Sequence, residues 1–134
     1  MTIERVKPEG LAPAHGYAHA TIATGTRLVH VGGQIANDID GAIPSPGDHR
    51  AQAELALRNL VTALEAAGGQ PSDLANITVY IVGLDPRTQE ETFAGYGAAA
   101  AELKVRSTGF AVIGVAALGH PDALIELTAT AVLD

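Results

Sequence analysis

Glu126 is the carboxylate whose setting points most directly to chemistry. It lies in the apolar run from Leu124 to Val132, where Ile125, Leu127, Ala129 and Ala131 share one face of a strand and Glu126, Thr128, Thr130 and Val132 share the other. A carboxylate at the start of a core strand, beside a turn, is costly if buried alone. Lining a cleft, it can orient water as a general base or protonate a leaving amine; the plainer reading is a solvated rim residue. Gly32-Gly33-Gln34 ends an earlier strand, and two adjacent glycines there mean either close approach of a ligand or backbone, or a bulge. Ser107 and Thr108, beside Arg106, have no base in the neighbouring sequence, which argues against a nucleophilic mechanism. His15 and His19 fall on a predicted loop and strand, where their spacing does not converge on one ion as it would on a helix. His120-Pro121-Asp122 reads as a turn. No metal site is expected, and the absence of cysteine removes thiolate catalysis, disulfides and Cys-ligated zinc.

The elements that must position these groups follow from periodicity and turn chemistry. Residues 1–16, with Pro8, Gly10, Pro13 and Gly16, read as an irregular lead-in. Tyr17 to Ala23 and Arg27 to Gly32 read as a hairpin about Gly25-Thr26. A helix is expected from about Pro46 to Ala67, with Ser45 as its cap, an apolar stripe of Ala53, Leu57, Leu60, Val61 and Leu64, and a stop at Gly68-Gly69. Asn76 to Val82 is rich in β-branched residues and reads as a strand. Thr88-Gln89-Glu90-Glu91 reads as a capping box opening a second helix to Leu103, with the stripe Phe93, Tyr96, Ala100 and Leu103. Two final strands, Phe110 to Ala116 and Leu124 to Val132, are expected to pair across the turn at Gly119-His120-Pro121-Asp122.

The order β-β-α-β-α-β-β over residues 1–134 describes a single α+β domain, two helices on one face of a mixed sheet. Alternating Val and Ile with Ala and Thr on the uncovered face points to self-association. A net charge of −7, with no Lys/Arg cluster, argues against nucleic acid. No run approaches the length of a membrane span, and Met1-Thr2-Ile3-Glu4-Arg5 lacks an apolar signal core, so a cytoplasmic protein is expected.

Gly32-Gly33-Gln34-Ile35, the helix segment Asn59 to Gly68, the stretch Asp73 to Tyr80 and the final Ile125-Glu126-Leu127-Thr128-Ala129 together resemble the RidA (YjgF/YER057c/UK114) family of enamine and imine deaminases, in the right order over nearly the whole chain. The resemblance implies a chorismate-mutase-like α+β fold and a homotrimer binding small molecules in clefts between subunits. It implies hydrolysis of reactive enamines and imines to 2-keto acids and ammonia, without cofactor or metal. In this family a glutamate at the start of the last strand positions water, and an arginine at the start of the penultimate strand grips the substrate carboxylate. A tyrosine near the N-terminus, a strand-end glycine and an asparagine on the second helix complete the site. Position by position, the glutamate matches Glu126, the glycine Gly33, and the tyrosine Tyr17, with His19 an alternative there. The arginine does not carry over: the register from Tyr96 onward puts Phe110 in its place and Phe93 in place of the asparagine. Arg106 lies too far from Glu126 in sequence to match, but stands close enough to swing in from the preceding loop. Backbone N–H groups near Gly33 and Ala111-Val112 are expected to stabilise developing charge. A phenyl ring offers none of a guanidinium's paired charged hydrogen bonds, so the cleft is expected to be less polar and suited to a larger or less charged ligand.

Overall fold

The computed structural model describes all residues 1–134. Its elements are β1 (Thr2–Val6), β2 (Ala20–Thr24), β3 (Arg27–Ile35), α1 (His49–Ala66), β4 (Leu74–Val82), α2 (Pro86–Leu103), β5 (Gly109–Val115) and β6 (Ile125–Leu133), with one 3-10 turn at Pro71–Asp73. The α+β class holds, with one strand more than expected. The lead-in is not wholly irregular: β1 pairs antiparallel with β2 in a two-stranded sheet of its own. The first expected strand therefore begins at Ala20, not Tyr17, and takes β1 rather than β3 as its partner.

The main sheet has the order β3-β6-β4-β5. β6 runs antiparallel to both β3 and β4, and β4 runs parallel to β5. The expected pairing of the last two strands is thus wrong, because β4 lies between them. The turn at Gly119-His120-Pro121-Asp122 joins strands that are two places apart. The parallel link from β4 through α2 to β5 needs a crossover, and α2 supplies it.

α1 starts at His49 rather than Pro46. The Asp48 carboxylate accepts from the Ala51 amide and caps it, leaving Ser45 outside the helix. Its stripe, Ala53, Leu57, Leu60, Val61 and Leu64, is buried as expected. The helix ends at Ala66, with Gly68 in the left-handed conformation at φ 91°. α2 is capped by Asp85, with Thr88 at the third helical position completing the box and Pro86 opening the helix. Thr88 was expected as the cap itself; the box lies one turn earlier.

The buried face of α2 also differs from the expected one. Thr88, Thr92, Gly95 and Ala99 are buried, whereas Phe93 is exposed and Tyr96, Ala100 and Leu103 only partly covered. The small face packs on α1 at close range: a Cβ on Gly95 would stand 2.0 Å from the Arg50 carbonyl oxygen. The core between helices and sheet is built from Leu57, Leu60, Leu64, Leu74, Ile77, Val79, Ile81, Ile125 and Leu127, all fully buried. Each such side chain contributes roughly 1.5–3 kcal/mol relative to exposure.

Buried Gln52 ties α1 to the approach of β6. Its amide nitrogen donates to the carbonyls of Ser45 and Asp122, both at 3.0 Å, and its carbonyl accepts from the Leu124 amide at 2.8 Å. Two residues later the chain presents Glu126.

Candidate functional site

Strand register divides the expected site residues between two faces. Phe110 and Val112 pair with Ile77 and Val79, whose side chains lie in the core beneath the helices. Glu126 pairs with Tyr80 on one side and Ile35 on the other, in the alternate parity, so all three project from the open face of the sheet. Ala111, in register with Thr78, shares that open face.

Between α2 and β5, on the helix side, lies a cavity of about 650 Å³. Gln89, Phe93, Tyr96, Gly97 and Ala100 present one stripe of α2 to it, and Phe110 and Val112 line it from β5. The segment Val105–Thr108 and the lead-in residues His15 and Tyr17 complete the wall. The Phe110 ring meets Tyr96 nearly edge-on at 5.4 Å and 72°, and lies 6.2 Å from Phe93 at 59°. Both are separations at which aromatic rings attract. Burial of the Tyr96 phenol pushes its pKa well above the ordinary tyrosine value, so it stays a neutral hydrogen-bond donor.

Two local devices hold the polar rim. Lys104 ends α2 in the left-handed conformation at φ 61°, and the Val105 amide returns to the Ala100 carbonyl, after which the chain carries Arg106 and Ser107 along the cavity wall. The Arg5 Nε then donates to the Ser107 carbonyl at 2.6 Å and to its hydroxyl at 3.1 Å. The Ala18 amide donates to the Thr108 carbonyl at 2.8 Å, beside a parallel bridge from Ala18 to Gly109. That contact carries Tyr17 to the cavity wall.

On the open face, Gly33 sits against Glu126. A Cβ at Gly33 would stand 2.6 Å from the carboxyl carbon and 2.8 and 2.9 Å from its two oxygens. The β3–β6 register shifts between Val31 and Gln34, so the glycine pair is a bulge as well as a close approach. The two readings of Gly32-Gly33 therefore both hold.

Of the expected residues, Tyr17, Phe93, Arg106, Phe110 and Val112 converge on the cavity. Glu126 and Gly33 meet each other on the opposite face. His19 is set apart from the cavity: its Nε2–H donates to the Ala12 carbonyl at 2.7 Å, and it lines a smaller neighbouring hollow of about 340 Å³. Its ring meets that of Tyr17 edge-on at 5.6 Å. Because successive strand amides point to opposite edges, only one N–H of the Ala111-Val112 pair faces the free edge of β5; the other faces β4. Gln89, Tyr96, Ser107, Thr108 and His15 also line the cavity, beyond the residues expected at the site. Their signal was present in part, since Gln89, Phe93, Tyr96 and Ala100 recur at helical spacing.

The chain matches the family model described as Endoribonuclease L-PSP over residues 8–133. It is similar to YyfB of Yersinia pestis, described as a protein of unknown function of the conserved Rid protein family, with 30% identity, a TM-score of 0.87, and coverage of 99% of this chain and 100% of that one. It is similar to Escherichia coli TdcF, solved with bound serine, at 28% identity and TM-score 0.70, covering 93% of this chain and 91% of that one. The Escherichia coli YjgF gene product gives 28% identity, the same two coverages and a TM-score of 0.69. No curated protein sequence matches the chain. No helix is long and apolar enough to cross a membrane.

Proposed function

Because the chain belongs to the endoribonuclease L-PSP family, the YjgF/Rid proteins, we propose that it is a RidA-like hydrolase of reactive imines or enamines, working in clefts between the subunits of a homotrimer. The fit of Gly33 around the Glu126 carboxylate carries this reading, since any side chain at Gly33 would overlap the group. Water held by Glu126 adds to the C=N carbon. The carboxylate accepts the water proton and returns it to nitrogen, giving a carbinolamine; the hydroxyl proton then passes by way of the carboxylate to the amine as the C–N bond breaks, releasing ammonia and a 2-keto acid. Neither metal nor cofactor takes part.

The division of the site supports the subunit clefts. Glu126 and the aromatic cavity stand on opposite faces of one sheet, so one copy's cavity acts with the Glu126 and Gly33 of another. The serine bound in the TdcF structure supports an amino-acid-like ligand. RNA cleavage, which the family description evokes, fits poorly with a net charge of −7 and a cavity lined by a single arginine. A second reading, a trimer that binds ligands without chemistry, draws on Phe110 standing where the family's carboxylate-gripping arginine is expected.

The test generates 2-imino acids in situ, 2-aminoacrylate from serine with a dehydratase and others with an amino-acid oxidase, and follows keto acid and ammonia release. Acceleration by the wild type that Glu126→Gln abolishes, in a protein of unchanged assembly by light scattering, is the expected result. If no imine in the series is hydrolysed faster, the hydrolase reading is wrong and the binding reading stands.

A further inference from the structure

The cavity beneath α2 is built for something larger than a three-carbon ligand. At about 650 Å³ it is the size of an ordinary small-molecule site, and Phe93, Tyr96, Ala100, Phe110 and Val112 give it an apolar floor. A ligand of alanine or serine size would leave those rings facing water. Phe110 already meets Tyr96 edge-on and Phe93 at a tilt, and a further ring or branched aliphatic chain extends the cluster.

The charge pattern says which end such a ligand carries. The chain has 15 Asp and Glu against 8 Lys and Arg, yet no carboxylate lines this cavity. Arg106 is the one Lys or Arg in the wall, and it takes part in none of the chain's ion pairs, which engage the N-terminus, Arg58 and Arg87. Its neighbour Ser107 is anchored by Arg5, so Arg106 is presented from a fixed turn rather than a loose loop. A guanidinium without a partner, above an apolar pocket in an acidic protein, is a receptor for a carboxylate.

From these observations we infer that the cavity selects monoanions with a bulky apolar, aromatic-sized side chain, and that Arg106 binds the carboxylate while Phe93, Tyr96 and Phe110 hold the side chain. Within the hydrolase reading, on which the substrate assignment rests, this makes the substrates 2-imino acids derived from aromatic and large aliphatic amino acids. Phe110 is then a specificity residue, and Arg106 does from the loop what a strand arginine would do from its place.

The experiment measures binding of keto acids, the stable counterparts of the imines, by calorimetry. Phenylpyruvate is expected to bind the wild type at least about tenfold tighter than pyruvate, with 4-methyl-2-oxopentanoate between them. Arg106→Gln should weaken phenylpyruvate by about tenfold and leave its methyl ester unchanged. Phe110→Arg should shift preference toward pyruvate, and Phe93→Ala, which removes one ring of the cluster at a helix position outside the core, should weaken phenylpyruvate more than pyruvate. Equal affinity for pyruvate and phenylpyruvate, an Arg106→Gln variant that binds phenylpyruvate normally, or no saturable binding of phenylpyruvate each overturns the inference. Tight phenylpyruvate binding without hydrolysis of any imine refutes the hydrolase reading and spares the pocket. Hydrolysis of 2-aminoacrylate with no preference among keto acids does the reverse.

Discussion

Substituting Gly33→Ala separates a catalytic requirement for glycine from an architectural one. The added Cβ would stand 2.6 Å from the Glu126 carboxyl carbon and under 3 Å from both oxygens. Non-bonded carbon atoms settle at about 3.5–4 Å, so the carboxylate must retreat by about 1 Å. Neither Gly33 nor its neighbour Gly32 has a positive φ, so alanine meets no backbone strain at either position. The obstructed group is the end of a half-buried side chain, free to rotate away, which limits the stability loss to about 1 kcal/mol. Catalysis is less forgiving, because a displacement of about 1 Å at a reacting group costs about a hundredfold in rate. The expected result is therefore a large fall in kcat/KM for imine hydrolysis with a urea midpoint near that of the wild type. Gly32→Ala, whose Cβ meets nothing within 4 Å, is the control and should keep most of its activity. Undiminished turnover in Gly33→Ala would refute the reasoning, since the carboxylate would then tolerate displacement. A loss of several kcal/mol in stability would instead make the glycine a requirement of the bulge.

Three further substitutions read the scaffold that carries the site. Gly95→Ala and Gly97→Ala lie two residues apart in α2 and should have opposite signs in urea unfolding. The first drives a Cβ to 2.0 Å from the Arg50 carbonyl oxygen, so the helices must separate at a cost of about 1–3 kcal/mol; the second meets nothing within 4 Å and should gain up to about 1 kcal/mol from helix propensity. Gln52→Leu removes three hydrogen bonds at the approach to β6 and should destabilise the protein by about 3 kcal/mol in the same assay, with activity falling further than in equally destabilised core variants because Leu124 and Glu126 lose their anchor.

What was legible in the sequence was what short-range patterning controls. Ala53, Leu57, Leu60, Val61 and Leu64 share a helix face by spacing alone, and Ile125, Leu127, Ala129 and Ala131 share a strand face by parity, so both buried surfaces could be read before any partner was known. Strand partners are a different matter, because they depend on contacts distant in sequence. β5 and β6 are separated by one turn, yet β6 enters between β3 and β4, where its alternation covers two neighbours at once. β1 was hidden by the Pro and Gly residues after it, and because its partner, β2, lies more than a dozen residues away. The α2 face is only partly the expected one, for an energetic reason: Tyr96, Ala100 and Leu103 reach the edge of the core, but the helix's closest contact is made by small residues. Hydrophobicity favours Phe93, Tyr96 and Leu103 as core, but helices in close contact need small residues between them, and Gly95 and Ala99 let α2 lie against α1. Tyr96 and Ala100 pack against the edge of that core and Phe93 stands clear of it, and their outer surfaces line the cavity.

The same parity argument reaches the site itself. Family resemblance gathers Tyr17, Phe93 and Phe110 with Glu126 and Gly33, but it does not say on which side of the sheet each falls. Register does: Phe110 follows Ile77 into the helix side, and Glu126 follows Tyr80 out of it. A side chain cannot pass through a sheet whose strands stand about 4.8 Å apart and are hydrogen-bonded to one another. If both groups act on one ligand, a second copy of the chain must bring its open face to the first copy's cavity. Catalysis then depends on assembly as directly as on Glu126. A subunit-interface variant that dissociates the protein into folded monomers should retain the cavity while losing the hydrolysis.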